Sequence, residues 1–137
     1  MYVNQEFRCL IAALFGTLQM VTYVVPFLMI TIREYLDPQG CSPFADWFES
    51  LNAAAAAKVT TTLARIEQGN FSSVKGIGAG VYESRIDFGP GYRIYFGKDG
   101  EMIVILLGGG TKKRQSKDIL SAQEHWTDYK ARKAKET

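Results

Sequence analysis

The chain has 137 residues, of which 47% are apolar and 22% charged, with a net charge of only +2. Such a length points to one domain, and such a balance excludes a disordered chain. The two cysteines, Cys9 and Cys41, lie outside any CxxC or Cys/His spacing and there is one histidine, which excludes a zinc site or a disulfide framework and fits a reducing cytoplasm; no metal or cofactor is expected.

The first 28 residues differ from the rest. No charged residue occurs from Cys9 to Ile32, and the stretch reads "LIAALFGTLQMVTYVVPFLMI". It is long enough to cross a bilayer, which takes about 20 apolar residues. Thr17, Gln19 and Thr22 interrupt it, and Pro26 would bend it. A signal peptide would need a small-residue cleavage site, and "VVPFLM" is a poor one. Met29 opens "MITIREYL", a complete strand by itself, and a start there would leave a domain of comfortable size. The expected boundaries are therefore a hydrophobic extension over 1–28 (a mis-assigned start, a membrane anchor or an extra helix) and a domain over 29–137.

From Ile30 the pattern predicts a first strand, then a turn at Asp37-Pro38-Gln39-Gly40. Ser42-Pro43 is a helix start, a hydroxyl cap followed by proline at the first helical position. Phe44, Trp47, Phe48 and Leu51 make one apolar stripe. Asn52 caps a second helix with Val59, Leu63 and Ile66 on its inner face and Gly69 as a left-handed stop. The near absence of a loop makes the two helices a hairpin. "NFSSVKGIGAG" reads as a flexible connector and not a phosphate loop, because no helix start follows it.

Three strands come next. "VYESRIDF" and "YRIYF" alternate, and "EMIVILL" is apolar nearly throughout, as expected of a strand covered on both faces. Gly89-Pro90-Gly91 and Lys98-Asp99-Gly100 are the turns. A last helix begins near Ser116, with Ile119, Ala122, Trp126 and Tyr129 facing inward. The order β-α-α-β-β-β-α predicts an α+β fold, a small, mostly antiparallel four-stranded sheet flanked by a helical hairpin and a C-terminal helix.

With residues 89–91 as the loop, Phe88 pairs with Tyr92, Asp87 with Arg93, Ile86 with Ile94 and Arg85 with Tyr95. One face then carries Tyr82, Ser84, Ile86, Phe88, Tyr92, Ile94 and Phe96, and an exposed face carries Glu83, Arg85, Asp87, Arg93 and Tyr95. From the residues alone this exposed group reads first as a cross-strand ion pair, Asp87–Arg93, with Arg85 packed on Tyr95. The alternative is a site for a phosphate and a stacked base. From Lys112 onward eight Lys or Arg stand against four Asp or Glu, so this basic end suits an anionic partner or, equally, a solvated helix face.

The stretches "VYESRIDFGPGYRIYF" and "ILLGGGTKKRQSKDI" resemble the RelE/ParE toxin superfamily, and most closely its addiction module killer, HigB-like branch. The resemblance implies the toxin of a type II toxin–antitoxin system, a metal-independent endoribonuclease acting on mRNA, with the ribosome and a helix-turn-helix antitoxin as partners and a cytoplasmic location. It implies Arg93, Arg85 and Lys113 as catalytic residues, since arginine forks onto phosphate oxygens, and Tyr95, Lys112 and Arg114 as RNA-binding residues. The glycines at 108–110 would let RNA approach the backbone, or simply end a strand. The family's catalytic tyrosine falls on Ile119 or nearby, which leaves Tyr95 or His125 as the proton donor, although an ordinary polar role for His125 is the simpler reading. Two alternatives stand beside this: a ParE-like toxin that binds DNA gyrase without nuclease chemistry, and a membrane-attached domain.

Overall fold

A computed structural model describes residues 29–136. The expectations for residues 1–28 lie outside the described residues. Among those described, no helix is long and apolar enough to cross a membrane.

The chain runs β1 (Thr31–Glu34), α1 (Pro43–Glu49), α2 (Ala53–Glu67), β2 (Val74–Gly78), β3 (Val81–Ile86), β4 (Tyr92–Lys98), β5 (Ile103–Thr111), a 3-10 turn (Lys112–Arg114) and α3 (Gln115–Glu136). The helix starts follow from local chemistry. The Ser42 hydroxyl accepts from the Ala45 N–H at 3.0 Å, and the Asn52 side chain from the Ala55 N–H at 2.9 Å. Each satisfies a donor that the first helical turn leaves without a partner.

Among the described residues the sheet has five strands in the order β1-β5-β4-β3-β2. β1 runs parallel to β5 and the other neighbours are antiparallel, so the sheet is mixed. This corrects the expected four strands. The additional strand, β2, occupies the stretch expected to be a connector. It lies at the sheet edge, where only Val74 and Ile77 are half-buried and the other residues are exposed. A register shift at Gly76/Gly78 interrupts it. A glycine-rich edge strand buries too little to write an alternating pattern into its sequence.

Helices cover both faces. On one side Phe44 of α1 and Val59 and Ile66 of α2 pack on Ile86, Tyr92, Ile94, Phe96, Val104 and Leu106. On the other, Ala122, Trp126 and Tyr129 of α3 pack on Val81, Tyr95, Ile105 and Leu107. Val104 through Leu107 are all sealed, which is why β5 reads as continuously apolar.

Two tryptophans close the layers, each lying on a strand glycine. A Cβ on Gly97 would sit 2.4 Å from the Trp126 ring, and one on Gly109 would sit 2.2 Å from the Trp47 ring. Burying a tryptophan removes about 150–250 Å² from water, on the order of 4–6 kcal/mol at about 25 cal/mol per Å². That gain needs both rings in full contact. Gly97→Ala is expected to lower stability by about 1–3 kcal/mol through overpacking against Trp126, measured by urea denaturation. Gly76→Ala, where a Cβ meets open space, is expected to change stability by less than about 1 kcal/mol.

Candidate functional site

The β3–β4 pairing sets Arg85 opposite Arg93, Ile86 opposite Tyr92, Ser84 opposite Ile94 and Glu83 opposite Tyr95. The expected register is thus corrected by two residues. A two-residue slip keeps every side chain on its face but changes its neighbour. The cause is a longer connection: Phe88 N–H donates to the Ile86 carbonyl and Gly91 N–H to the Phe88 carbonyl, which takes residues 87–91 out of the ladder. Phe88 then packs against the core, with the Lys58 ammonium over its ring.

The face carrying Arg85, Arg93 and Tyr95 is not open, because α3 lies across it. Tyr95 is 1% exposed and Arg93 5%. The partner of Arg93 is Glu83, not Asp87: Arg93 Nε stands 3.5 Å from Glu83 Oε1. Glu83 is fully buried. Its Oε2 accepts from Gln115 Nε2 at 2.7 Å, and Lys75 Nζ approaches Oε1 at 3.8 Å. Arg93 Nη1 donates to the Tyr92 carbonyl at 3.2 Å. Tyr95, expected to meet RNA, is packed among Ile105, Leu107 and Ala122. Arg85, one strand further out, is exposed.

The other expected site residues gather at the same end of the sheet. Arg93 pairs with Gly110 of β5 as well as with Arg85, so the three positions form one row. Just beyond it the Lys112 N–H donates to the Gly91 carbonyl at 3.0 Å, which ties the 3-10 turn to the β3–β4 connection. Lys112, Lys113 and Arg114 are all exposed on that turn. None of them, nor Arg85, makes an ion pair among the described residues. The far end of α3 is different: there Lys133 pairs with Asp99 and Arg132 with Asp128.

Of the glycines at 108–110, the last two serve packing, while a Cβ on Gly108 would meet nothing within 4 Å. Gly109 seats Trp47, and at Gly110 a Cβ would fall 1.9 Å from Asp118 Oδ2. Beside them a cleft of about 220 Å³ opens between β5 and α3, lined by Tyr95, Gly108, Gly109, Asp118, Ser121 and His125 among others. Asp118 Oδ2 and the Tyr95 hydroxyl are buried without a hydrogen-bond partner. Burial pushes the Asp118 carboxyl above its ordinary range, with Arg114 and Lys117 partly offsetting it. Burial also pushes the Tyr95 phenol up, reinforced by the Glu83 and Asp118 carboxylates. His125 Nδ1 lies 3.0 Å from the Leu107 carbonyl and its ring stacks on Tyr35. A carbonyl only accepts, so Nδ1 carries the proton. Sequence reasoning passed over Glu83, Asp118 and Ser121. Glu83 stood on the face expected to be exposed, and only the packing of α3 shows it to be interior; Asp118 and Ser121 follow the period of an ordinary helix and carry no signal.

The family described as "Phage derived protein Gp49-like (DUF891)" matches residues 46–131. An uncharacterized protein of Haemophilus influenzae is 42% identical over 81 residues, which make up 58% of this chain and 82% of that relative. The family match overturns the resemblance to the RelE/ParE toxin superfamily and its HigB-like branch. With it go the readings drawn from it, an mRNA-cleaving endoribonuclease toxin or a gyrase-binding one; the partners named there stood on that resemblance alone. The motifs behind it have structural occupations here. "GPGYRIYF" is the turn and strand that bury Arg93 against Glu83, and "GGGTKKRQSKDI" seats Trp47 and Asp118 and starts α3.

Two outcomes follow from the buried charges. Glu83→Gln leaves the Arg93 guanidinium buried without a counter-charge and is expected to cost about 3–5 kcal/mol. In the double variant with Arg93→Met the loss should be smaller than the sum of the single losses, as read by a double-mutant cycle in urea. At Asp118 the folded-state pKa lies above the unfolded one, so ionisation costs stability near neutral pH. The cost disappears as pH falls below about 3.9, the unfolded carboxylate value, where both states are protonated. Asp118→Asn is therefore expected to raise the urea midpoint near neutral pH, with the gain shrinking as pH drops through the carboxylate range.

Proposed function

The chain belongs to the Gp49-like family of phage-derived proteins, and for this member we propose a binding role: its basic sheet end grips the phosphate backbone of a nucleic acid strand. What carries the reading is the set of four exposed cations without ion-pair partners among the described residues, Arg85, Lys112, Lys113 and Arg114, at one end of one sheet. On α3, by contrast, Arg132 and Lys133 are paired with carboxylates and Lys130 lies over the Trp126 ring. A protein gains little by leaving four cations side by side unless an anion separates them, since like charges repel.

The spacing suits a polymer better than a single small anion. Arg85 is on β3 and the lysines leave β5, two interstrand steps away, so the cations span about 10 Å. Arginine forks onto two phosphate oxygens, whereas lysine acts as a point charge. Contacts of this kind hold a backbone in place without reading its sequence. Beneath them the Glu83–Arg93 pair is rigidly enclosed, which fixes the row that Arg85 stands on.

The test is fluorescence anisotropy with labelled single strands of RNA and DNA of one sequence, titrated over a range of salt. Four phosphate contacts predict a slope of log affinity against log salt of about −3, at about −0.7 per contact. Neutralising Lys112, Lys113 and Arg114 together to Gln should reduce it to about −1 with the urea midpoint unchanged. Equal affinity for both strands would mark recognition of phosphate alone, and a preference for RNA would add a 2′-hydroxyl contact. Binding that ignores salt, or that survives the triple substitution with its slope intact, would sink the reading.

A further inference from the structure

The cleft between β5 and α3 has a chemistry opposite to that of the basic rim one helical turn away. Its lining contains no Lys or Arg. Its polar groups are the Asp118 carboxylate, the Tyr95 hydroxyl, the Ser121 hydroxyl and the His125 ring, and the carboxylate and both hydroxyls can accept a hydrogen bond. Two of these atoms, Asp118 Oδ2 and the Tyr95 hydroxyl, are buried and partnerless. Tyr95 is 1% exposed, and its hydroxyl is sealed from bulk water.

We propose that this cleft binds a guanidinium or primary ammonium group, with Asp118 as its counter-ion and the Tyr95 and Ser121 hydroxyls as neutral acceptors. A buried carboxylate without a partner is costly, and a cation that reaches it recovers that cost. Gly110 makes the arrangement possible: without a side chain it lets the carboxylate lie against the strand. The size agrees. About 220 Å³ is below the range of about 300–1,000 Å³ typical of pockets for drug-sized ligands, and suits one charged head with its alkyl stem. Arg114 and Lys117 lie on the neighbouring turns and their field opposes a cation. Both are exposed and neither is within ion-pair distance of Asp118, so solvent screens them more than it screens the desolvated Oδ2.

The proposal is independent of the nucleic acid reading, since it uses no residue of the rim. The cation has two possible sources, a free small molecule or a side chain of a partner protein. Titration calorimetry of the intact chain with agmatine, with the blocked tripeptide Gly-Arg-Gly, and with the same tripeptide carrying citrulline separates them. Citrulline keeps the shape of arginine and removes the charge. Agmatine is expected to bind, citrulline at least tenfold more weakly than any guanidinium probe, and Asp118→Asn should weaken agmatine at least tenfold. Tyr95→Phe should weaken it several-fold. An arginine tripeptide that binds as well as agmatine assigns the cleft to a partner's side chain, and exclusion of the tripeptide assigns it to a free ligand. Equal binding of the citrulline and arginine tripeptides, no binding of any guanidinium probe, or an unchanged affinity in Asp118→Asn overturns the proposal; the first two comparisons need no variant and do not depend on the folding of one.

Discussion

The seat of Trp126 on Gly97 decides most of what this molecule can do. Because Gly97 has no side chain, the indole of α3 lies flat on β4, and the helix follows it down onto the sheet. The far half of the helix is then fastened by polar contacts. Tyr129 donates to Asp99 at 2.7 Å and Tyr35 to Asp128 at 2.6 Å, while Lys133 and Arg132 pair with the same two carboxylates. Once α3 is in place, a sheet face that alternates like a solvent-facing one becomes an interior. The charged residues on it must be paired, and Glu83 and Arg93 are.

A division of labour among the cations follows. Arg93 under α3 and Arg132 and Lys133 along its C-terminal half serve the fold, in the buried pair with Glu83 and in the links to Asp128 and Asp99. Those on the 3-10 turn that leads into α3 lie before the helix meets the sheet, and they remain in solvent together with Arg85. The same helix start that turns Lys112, Lys113 and Arg114 outward turns Asp118 inward onto Gly110. A basic rim and an acceptor-lined cleft thus come from a few consecutive residues, with opposite sides of one helical turn facing different solvents.

Local chemistry was legible. The Ser42 and Asn52 caps, the stripe of Phe44, Trp47 and Phe48, the inner face of α2 and the two-sided burial of β5 all stand where the sequence pattern puts them, because each is set by contacts within a few residues or by one period. The faces of β3 and β4 were also legible, since alternation survives a two-residue slip. The slip itself was not, because register depends on how many residues the connection uses, and Phe88 left the strand to pack in the core. Nor was β2, whose glycines and exposed side chains give no period. The toxin resemblance failed for a related reason: its motifs are rich in glycine, aromatic and basic residues that this fold needs for its turn, its tryptophan seat and its helix start.

The sequence by itself determined the helices and every strand but β2, which residues point to one side or the other, and that the C-terminal region is basic. These are properties of periodicity and composition, and they hold whatever the elements pack against. Only the tertiary structure decided that α3 covers the second sheet face, and hence that Arg93 is an interior partner of Glu83, that Arg85 stays outside, and that Asp118 and Tyr95 meet in a cleft. Those outcomes depend on contacts between residues far apart in the chain, Trp126 with Gly97 and Gln115 with Glu83 among them, and no local pattern carries the distance between two such side chains.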